Sequence, residues 1–334
     1  MAANPRVALT MGDPAGIGAE VIAKAYPELL ADARPVVVGD AGAMRRAVEV
    51  AGVEVDVRVV DTFAVEPSPD SIPVLDLDNV GELVYGELRE EYGRASLEYV
   101  ERAIEAAIAG DVDAIVTAPI NKQAIRLAGA EHAGHTGLLA ERTDTEEYAM
   151  LLIEGDLRVS HVSTHVPLRE ACDLVRTERV RTTIDVTAGA MANLGISEPT
   201  IAVAGLNPHA GDGGLLGTEE ASEIEPAVAS AQDDGIDAVG PEPPDTVFAR
   251  AAGGEYDAVV AMYHDQGHIP VKTIGFDSEG VRGVNVTIGL PIIRTSVDHG
   301  TAFDIAGEGV ASAASVGEAV SVAARMARNK NRES

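Results

Sequence analysis

The sequence predicts an α/β fold on a largely parallel sheet, and three observations carry that expectation. Short apolar runs of strand length alternate with stretches of helical spacing along the whole chain. The run Ala258–Met262 is continuously apolar, the pattern of a strand covered on both faces. Polar groups able to do chemistry cluster directly after several runs, where open α/β sheets bind ligands.

Taken in order, Arg6–Thr10 reads as a strand, the glycine-rich Met11–Gly18 as a turn and Ala19–Leu30 as a helix. Such a turn lets backbone N–H groups approach a ligand, though its spacing is neither the GxGxxG fingerprint nor a Walker loop. A strand at Pro35–Val38, a helix at Ala43–Ala51 and a strand at Val53–Val60 follow, the last alternating valines with polar residues. Residues 61–81, with Pro67, Pro69 and Pro73, read as an irregular excursion. Leu97, Val100, Ile104 and Ile108 have helical spacing, and Gly110 is placed to end that helix. Asp113–Thr117 is a strand running into Thr117-Ala118-Pro119-Ile120-Asn121-Lys122.

In the second half, a strand at Leu157–Val162 leads to Ser163-Thr164-His165, and Val180, Ile184, Met191 and Leu194 mark a helix stopped by Gly195. A strand at Thr200–Ala204 leads into a glycine-rich stretch holding Asn207, His209 and Asp212. A helix begins near Thr218, with acidic residues in its first turn. Ser315-Val316-Gly317-Glu318 has capping-box form and opens a terminal helix. No fixed-period repeat and no clean linker interrupts the chain.

The formal charge is −29, and the lysines are Lys24, Lys122, Lys272 and Lys330 alone. An acidic surface repels phosphates, which argues against nucleic acid and anionic membranes as partners. The acidic residues lie within periodic segments and read as a solvated shell suited to a high-salt cytoplasm. Cys172 is the single cysteine, which excludes an intrachain disulfide and fits a reducing, cytoplasmic setting. No apolar run approaches bilayer length.

His165, His209 and His264 each lie within about five residues of a strand end, the side on which α/β proteins place their sites. Imidazoles near carboxylates such as Asp265 suit zinc, manganese, cobalt or nickel. His161, four residues before His165, reads as core packing or as support behind a ligand, while His132, His268 and His299 fit no ligand geometry. Lys122 and Lys272 offer point charges or acid–base groups, and Arg294 can hold a carboxylate or phosphate through paired hydrogen bonds. Gly134-His135-Thr136-Gly137 adds donors.

The stretches MGDPAGIGAE, TAPINK, GHTGLLAE, STHVPLR, GLNPHAGDGG, GPEPPDTVF, YHDQGHIPVK and GVNVTIGLPIIRTSVDHGTAFDIAG span nearly the whole chain in order. With them the chain resembles the 4-hydroxythreonine-4-phosphate dehydrogenase family and, more distantly, the isocitrate and isopropylmalate dehydrogenases. The resemblance implies a three-layer α/β/α fold of two lobes sharing a mixed sheet: residues 1–125 with 286–334 carrying cofactor loops, and 126–285 carrying metal ligands and a homodimer interface. It implies that His165, His209 and His264 bind a divalent ion (Zn, Mg, Mn or Co), the set being completed across the dimer. It places substrate at His135, Thr136, Lys272, Asn285 and Arg294, NAD or NADP at His299, Gly300, Thr301 and Ala302, and catalytic roles at Lys272 and Asp265. Asp13 and Lys122 sit in matching motifs. Asp277–Val281 is longer than in the biosynthetic enzyme.

The implied reaction is NAD-dependent oxidation, with decarboxylation, of a four-carbon 3-hydroxy-4-phosphooxy acid. The stretches HVSTHVPLREAC and YHDQGHIPVK resemble the subgroup acting on 4-phospho-D-threonate or 4-phospho-D-erythronate more than the one acting on 4-phosphooxy-L-threonine. The alternatives are a metal-dependent phosphohydrolase or lyase on the same scaffold without NAD turnover, and a non-catalytic metabolite-binding protein.

Overall fold

The computed structural model describes residues 3–129, 135–275 and 283–333. Asp277–Val281 and His132 lie outside the described residues. In chain order the elements begin with β1 (Arg6–Thr10), α1 (Gly18–Leu29), β2 (Arg34–Gly39), α2 (Ala41–Ala51), β3 (Asp56–Val60) and β4 (Ser71–Asp76). Next come α3 (Glu90–Ala109), β5 (Ala114–Thr117), α4 (Lys122–Leu127), α5 (His135–Arg142), β6 (Ala149–Glu154) and β7 (Leu157–His161). After them lie α6 (Leu168–Asp173), α7 (Thr177–Asn193), β8 (Ile201–Ala204), α8 (Glu225–Asp233), β9 (Ala238–Glu242) and α9 (Val247–Ala252). The chain closes with β10 (Ala258–Ala261), α10 (His264–Gly275), β11 (Val284–Ile288), β12 (Arg294–Val297) and α11 (Ala314–Glu333).

The fold is mixed α/β, and the chain divides into two compact units, Met1–Asp144 with Pro291–Ser334, and Thr145–Leu290. The first lobe was expected to stop at 125 and resume at 286. It extends through α5, whose Arg142 pairs with Glu101 of α3. It resumes later because β11 runs on antiparallel to β6 through Thr287, opposite Met150, and Ile288, opposite Ala149; Asn285 lies in the second unit as expected.

In the first unit the strand order is β3-β4-β2-β1-β5-β12 and every pairing is parallel. Tyr26, Tyr92, Tyr99, Leu9, Ile104 and Ile115 fill its core. Helix α3 ends, as expected, where Gly110 takes φ +77°, a conformation that a side chain disfavours. Strand β4 lies inside the stretch expected to be irregular. Its prolines mask it, yet Val37 of β2 pairs with Val74, one residue beyond Pro73. The capping box expected at Ser315 does not start α11, because Gly317 N already bonds Ala313 O and Ser315 falls within the first turn.

In the second unit the order is β11-β6-β7-β10-β8-β9; β6 is antiparallel to β11 and β7, and the other pairings are parallel. Strand β10 shows why its sequence is continuously apolar. Val260 and Met262 join the cluster of Val162, Val180, Ile184 and Val203, while Val259 and Ala261 join that of Val159, Val247, Phe248 and Val271. Each fully buried valine contributes roughly 1.5–3 kcal/mol.

Candidate active site

Strands β7, β10 and β8 are neighbours and parallel, so their carboxyl ends emerge on one side of the second unit. His165, His264 and His209 follow these three ends. Ser163 Oγ donates to Met262 O at 3.0 Å. Gln266 accepts from Met262 N at 2.6 Å and donates to Gly205 O at 2.7 Å. The three histidine-bearing segments are therefore tied together by buried side chains rather than by strand pairing alone.

His264 opens α10, a helix that the sequence conceals because Gly267 and Pro270 interrupt its interior. Its Nδ1 lies 2.6 Å from Asp265 Oδ1. A carboxylate only accepts, so Nδ1 is the donor in this contact and Nε2 is the ring nitrogen left for a metal ion. Asp265 thus orients an imidazole here. His165 stands beside His264, with ring centroids 5.5 Å apart and planes at 50°. His268, one helical turn on, lies flat on His264 at 3.6 Å and 12°. His161 packs beneath at 4.8 Å from His268. It is 2 % exposed, a core residue as expected, and burial followed by the neighbouring His268 pushes its pKa down to about 3.

His209 lies in an unusual backbone. His209, Ala210, Gly211, Asp212 and Gly213 all take positive φ, from 46° to 79°, a left-handed turn in which Cβ-bearing residues are strained. The turn is braced by buried Glu220, which accepts from Asn207 N at 2.7 Å and Asn207 Nδ2 at 2.9 Å. His209 is 68 % exposed and lies 3.9 Å from Asp245. Among the described residues no three His, Cys, Asp or Glu side chains come close enough to hold one metal ion. The adjacent imidazoles of His165 and His264, one with its tautomer set by a carboxylate, fit part of a divalent-ion site in their donor chemistry.

Among the described residues of this unit, two cavities adjoin Tyr263 and Asp265. One of about 260 Å³ is lined by Thr164, His165, Leu168, Tyr263, His264 and Asp265. The other, about 510 Å³, also meets Tyr263 and Asp265, and continues along Phe248, Gln266, Ile269 and Ile274. Lys272 is exposed on α10. Asn285 points its Nδ2 at Met150 Sδ, 3.1 Å away.

The remaining candidates lie in the first unit. Arg294 is 3 % exposed and donates from Nη2 to Thr117 Oγ1 at 2.7 Å. Burial lowers its pKa to about 10, which leaves it charged at neutral pH. His135 is the first residue of α5, and Thr136 is half-buried beside it. The glycine-rich turn and the His299–Ala302 loop meet directly, since Ile17 N donates to Thr301 O at 3.1 Å. Asp13 in that turn is 1 % exposed. Its Oδ1 accepts from Ala15 N at 2.9 Å, and burial raises its pKa to about 6 against that bond. Lys122 is exposed, behind the Asn121 side chain that caps α4.

Sequence reasoning missed two groups. Lys24 Nζ donates to Glu20 Oε1, Gly309 O and Ala311 O at 2.8–2.9 Å, pinning the segment after His299–Ala302 onto α1. His268 was missed as well, although its spacing of four from His264 is the one that stacks side chains on a helix.

Residues 31–323 match the family model described as pyridoxal phosphate biosynthetic protein PdxA. The D-threonate 4-phosphate dehydrogenase of Salmonella typhimurium is 46% identical, over 96% of this chain and 98% of that protein. The 4-hydroxythreonine-4-phosphate dehydrogenase of Geobacter metallireducens is 47% identical, over 98% and 97%. The crystal structure of 4-hydroxythreonine-4-phosphate dehydrogenase from Klebsiella pneumoniae superposes with a TM-score of 0.87 at 45% identity, covering 97% of this chain and 99% of that one.

Proposed function

The chain belongs to the PdxA family, and we propose that it is a divalent-metal-dependent, NAD-dependent (or NADP-dependent) dehydrogenase that oxidises and decarboxylates a four-carbon 3-hydroxy-4-phosphooxy acid. Relatives on both sides of the family's naming are dehydrogenases, which supports an oxidoreductase. The observation that carries the metal reading is the placement of His165, His209 and His264 after three adjacent parallel strands.

In this reading His165, His209 and His264 hold the ion, with residues of a second copy of the chain completing the set. A bound divalent ion supplies positive charge against the negative charge that develops on the substrate's oxygens. Asp265 keeps the His264 tautomer fixed. Lys272 would take the hydroxyl proton, and a dinucleotide held at His299–Ala302 would supply the two-electron acceptor that the oxidation requires. The 3-keto acid then loses carbon dioxide, and a proton returns to the carbon left behind. The proposed substrate-binding residues are His135, Thr136, Lys272, Asn285 and Arg294, the last suited by its paired donors to a carboxylate or phosphate. The loop His299–Ala302, seated on the glycine-rich turn, holds the dinucleotide. A homodimer is supported by the exposed apolar side chains Leu168, Leu215, Ile269 and Ile274 of the second unit.

Between substrates, the stretches around His165 and His264 favour 4-phospho-D-threonate or 4-phospho-D-erythronate over 4-phosphooxy-L-threonine. The test is NADH formation by the purified protein with Mn²⁺ and high salt on each compound. Turnover of a sugar-acid phosphate alone supports the catabolic reading. Turnover of the amino acid alone moves the enzyme to the biosynthetic one. Phosphate release without NADH or NADPH would favour the phosphohydrolase alternative, and no reduced nicotinamide from any of them with either NAD or NADP would overturn the dehydrogenase proposal.

A further inference from the structure

Behind the metal-site histidine His264 lies a column of two further imidazoles with no role in the chemistry above. His268 stacks on His264 with planes 12° apart, and its Nδ1 donates to the His264 backbone carbonyl at 2.9 Å. One ring nitrogen is thereby fixed to the backbone of the residue whose side chain the ring covers. Beneath it, His161 lies on β7 with its Nδ1 donating to Met150 O at 3.3 Å. The column closes up because position 267 lacks a side chain: a Cβ on Gly267 would stand 2.3 Å from His161 Nε2 and 2.8 Å from Val159 Cγ1. Helix α10 can approach β7 at this point only with glycine there.

We infer that His268, backed by His161 and made possible by Gly267, is a positioning residue that holds the His264 ring in its metal-binding orientation. The inference rests on the proposed metal role of His264. His264 is clamped on two sides, by Asp265 at Nδ1 and by the face of His268, and neither contact uses its Nε2. A metal ligand held in one rotamer before the ion arrives loses less conformational freedom on binding than a mobile one. An aliphatic residue at 268 would fill space without a flat face, so it is the ring of His268 that holds His264.

The test is Co²⁺ binding to the metal-free full-length protein, by calorimetry and by the visible absorption of bound Co²⁺, for wild type, H264A, H268A and H268F. The expected result is that H268A weakens Co²⁺ binding by about ten-fold or more and alters the absorption bands. H268F, which keeps a flat face, stays within roughly three-fold of wild type. A merely structural role would lower the urea midpoint of the metal-free protein while leaving Co²⁺ affinity and bands unchanged, and that outcome overturns the inference. H268F binding as weakly as H268A also overturns it. H264A serves to separate the two ideas. If H264A binds Co²⁺ as wild type does, the metal reading itself fails; if H264A is weakened and H268A is not, only the positioning role falls.

Discussion

The side chain of Gln266 reaches the carbonyl of Gly205 at 2.7 Å while its own oxygen accepts from Met262 N at 2.6 Å. One amide thus satisfies a donor and an acceptor at two strand ends. Replacing it with leucine strands both buried backbone groups, at a cost of about 1–3 kcal/mol each. Gln266→Leu should therefore lower the urea midpoint markedly, and Gln266→Glu, which keeps the acceptor and loses the donor, should fall between it and wild type. Equal midpoints for all three proteins would remove Gln266 from this role.

His209 allows catalysis and strain to be separated at one position. His209→Ala and His209→Gly should both abolish metal-dependent turnover while the far-ultraviolet spectrum is retained. At φ 55° the glycine variant should be the more stable of the two by about 1 kcal/mol. Near-wild-type activity in either variant would refute the ligand role, and an alanine variant more stable than the glycine one would refute the strain.

How much of this was legible differs from element to element. Strand β10 could be read directly, because both of its faces are buried and no polar residue had reason to interrupt it. The placement of His165, His209 and His264 after strand ends could be read for a related reason, since the apolar runs before them mark where each strand stops. Strand β4 and helix α10 could not. Proline in β4, and proline and glycine in α10, oppose these elements locally, and tertiary pairing and packing override that preference. The left-handed turn at His209–Gly213 was hidden too: its glycines suggest positive φ, but nothing in His209, Ala210 or Asp212 announces it. The role of Lys24 depends on Gly309 and Ala311, far away in sequence, and no local pattern encodes such a contact.

Asp13 should make stability depend on acidity in a particular direction. Its folded pKa of about 6 lies above the ordinary 3.8 because the carboxyl is buried. The folded state therefore binds its proton more tightly than the unfolded state, and the contribution to stability falls as pH rises from about 4 to about 6 and stays constant above. The full difference amounts to about 3 kcal/mol at most. Asp13→Asn keeps the Oδ1 acceptor for Ala15 N and cannot ionise, so its chemical-denaturation profile should lack this fall. A variant whose stability still declines across that window to the same extent would show that another group is responsible.

A net charge of −29 should make the folded state sensitive to ionic strength. Melting temperature is expected to climb steadily with added KCl, as screening shortens the reach of repulsion from about 10 Å at 0.1 M to about 3 Å at 1 M. A maximum in dilute buffer would contradict a surface adapted to salt.

The second unit is one continuous piece of chain, Thr145–Leu290, whereas the first is assembled from both sides of it. A chain emerging from the ribosome thus exposes every strand of the second unit before β12 and α11 exist to complete the first. Folding units complete themselves in the order in which their segments emerge, so the histidine-bearing unit can close early. The edge of β5 that later receives β12 must wait, unpaired, until β12 has been made. Slow synthesis beyond Leu290 should leave this first unit, not the second, as the part exposed to chaperones and proteases.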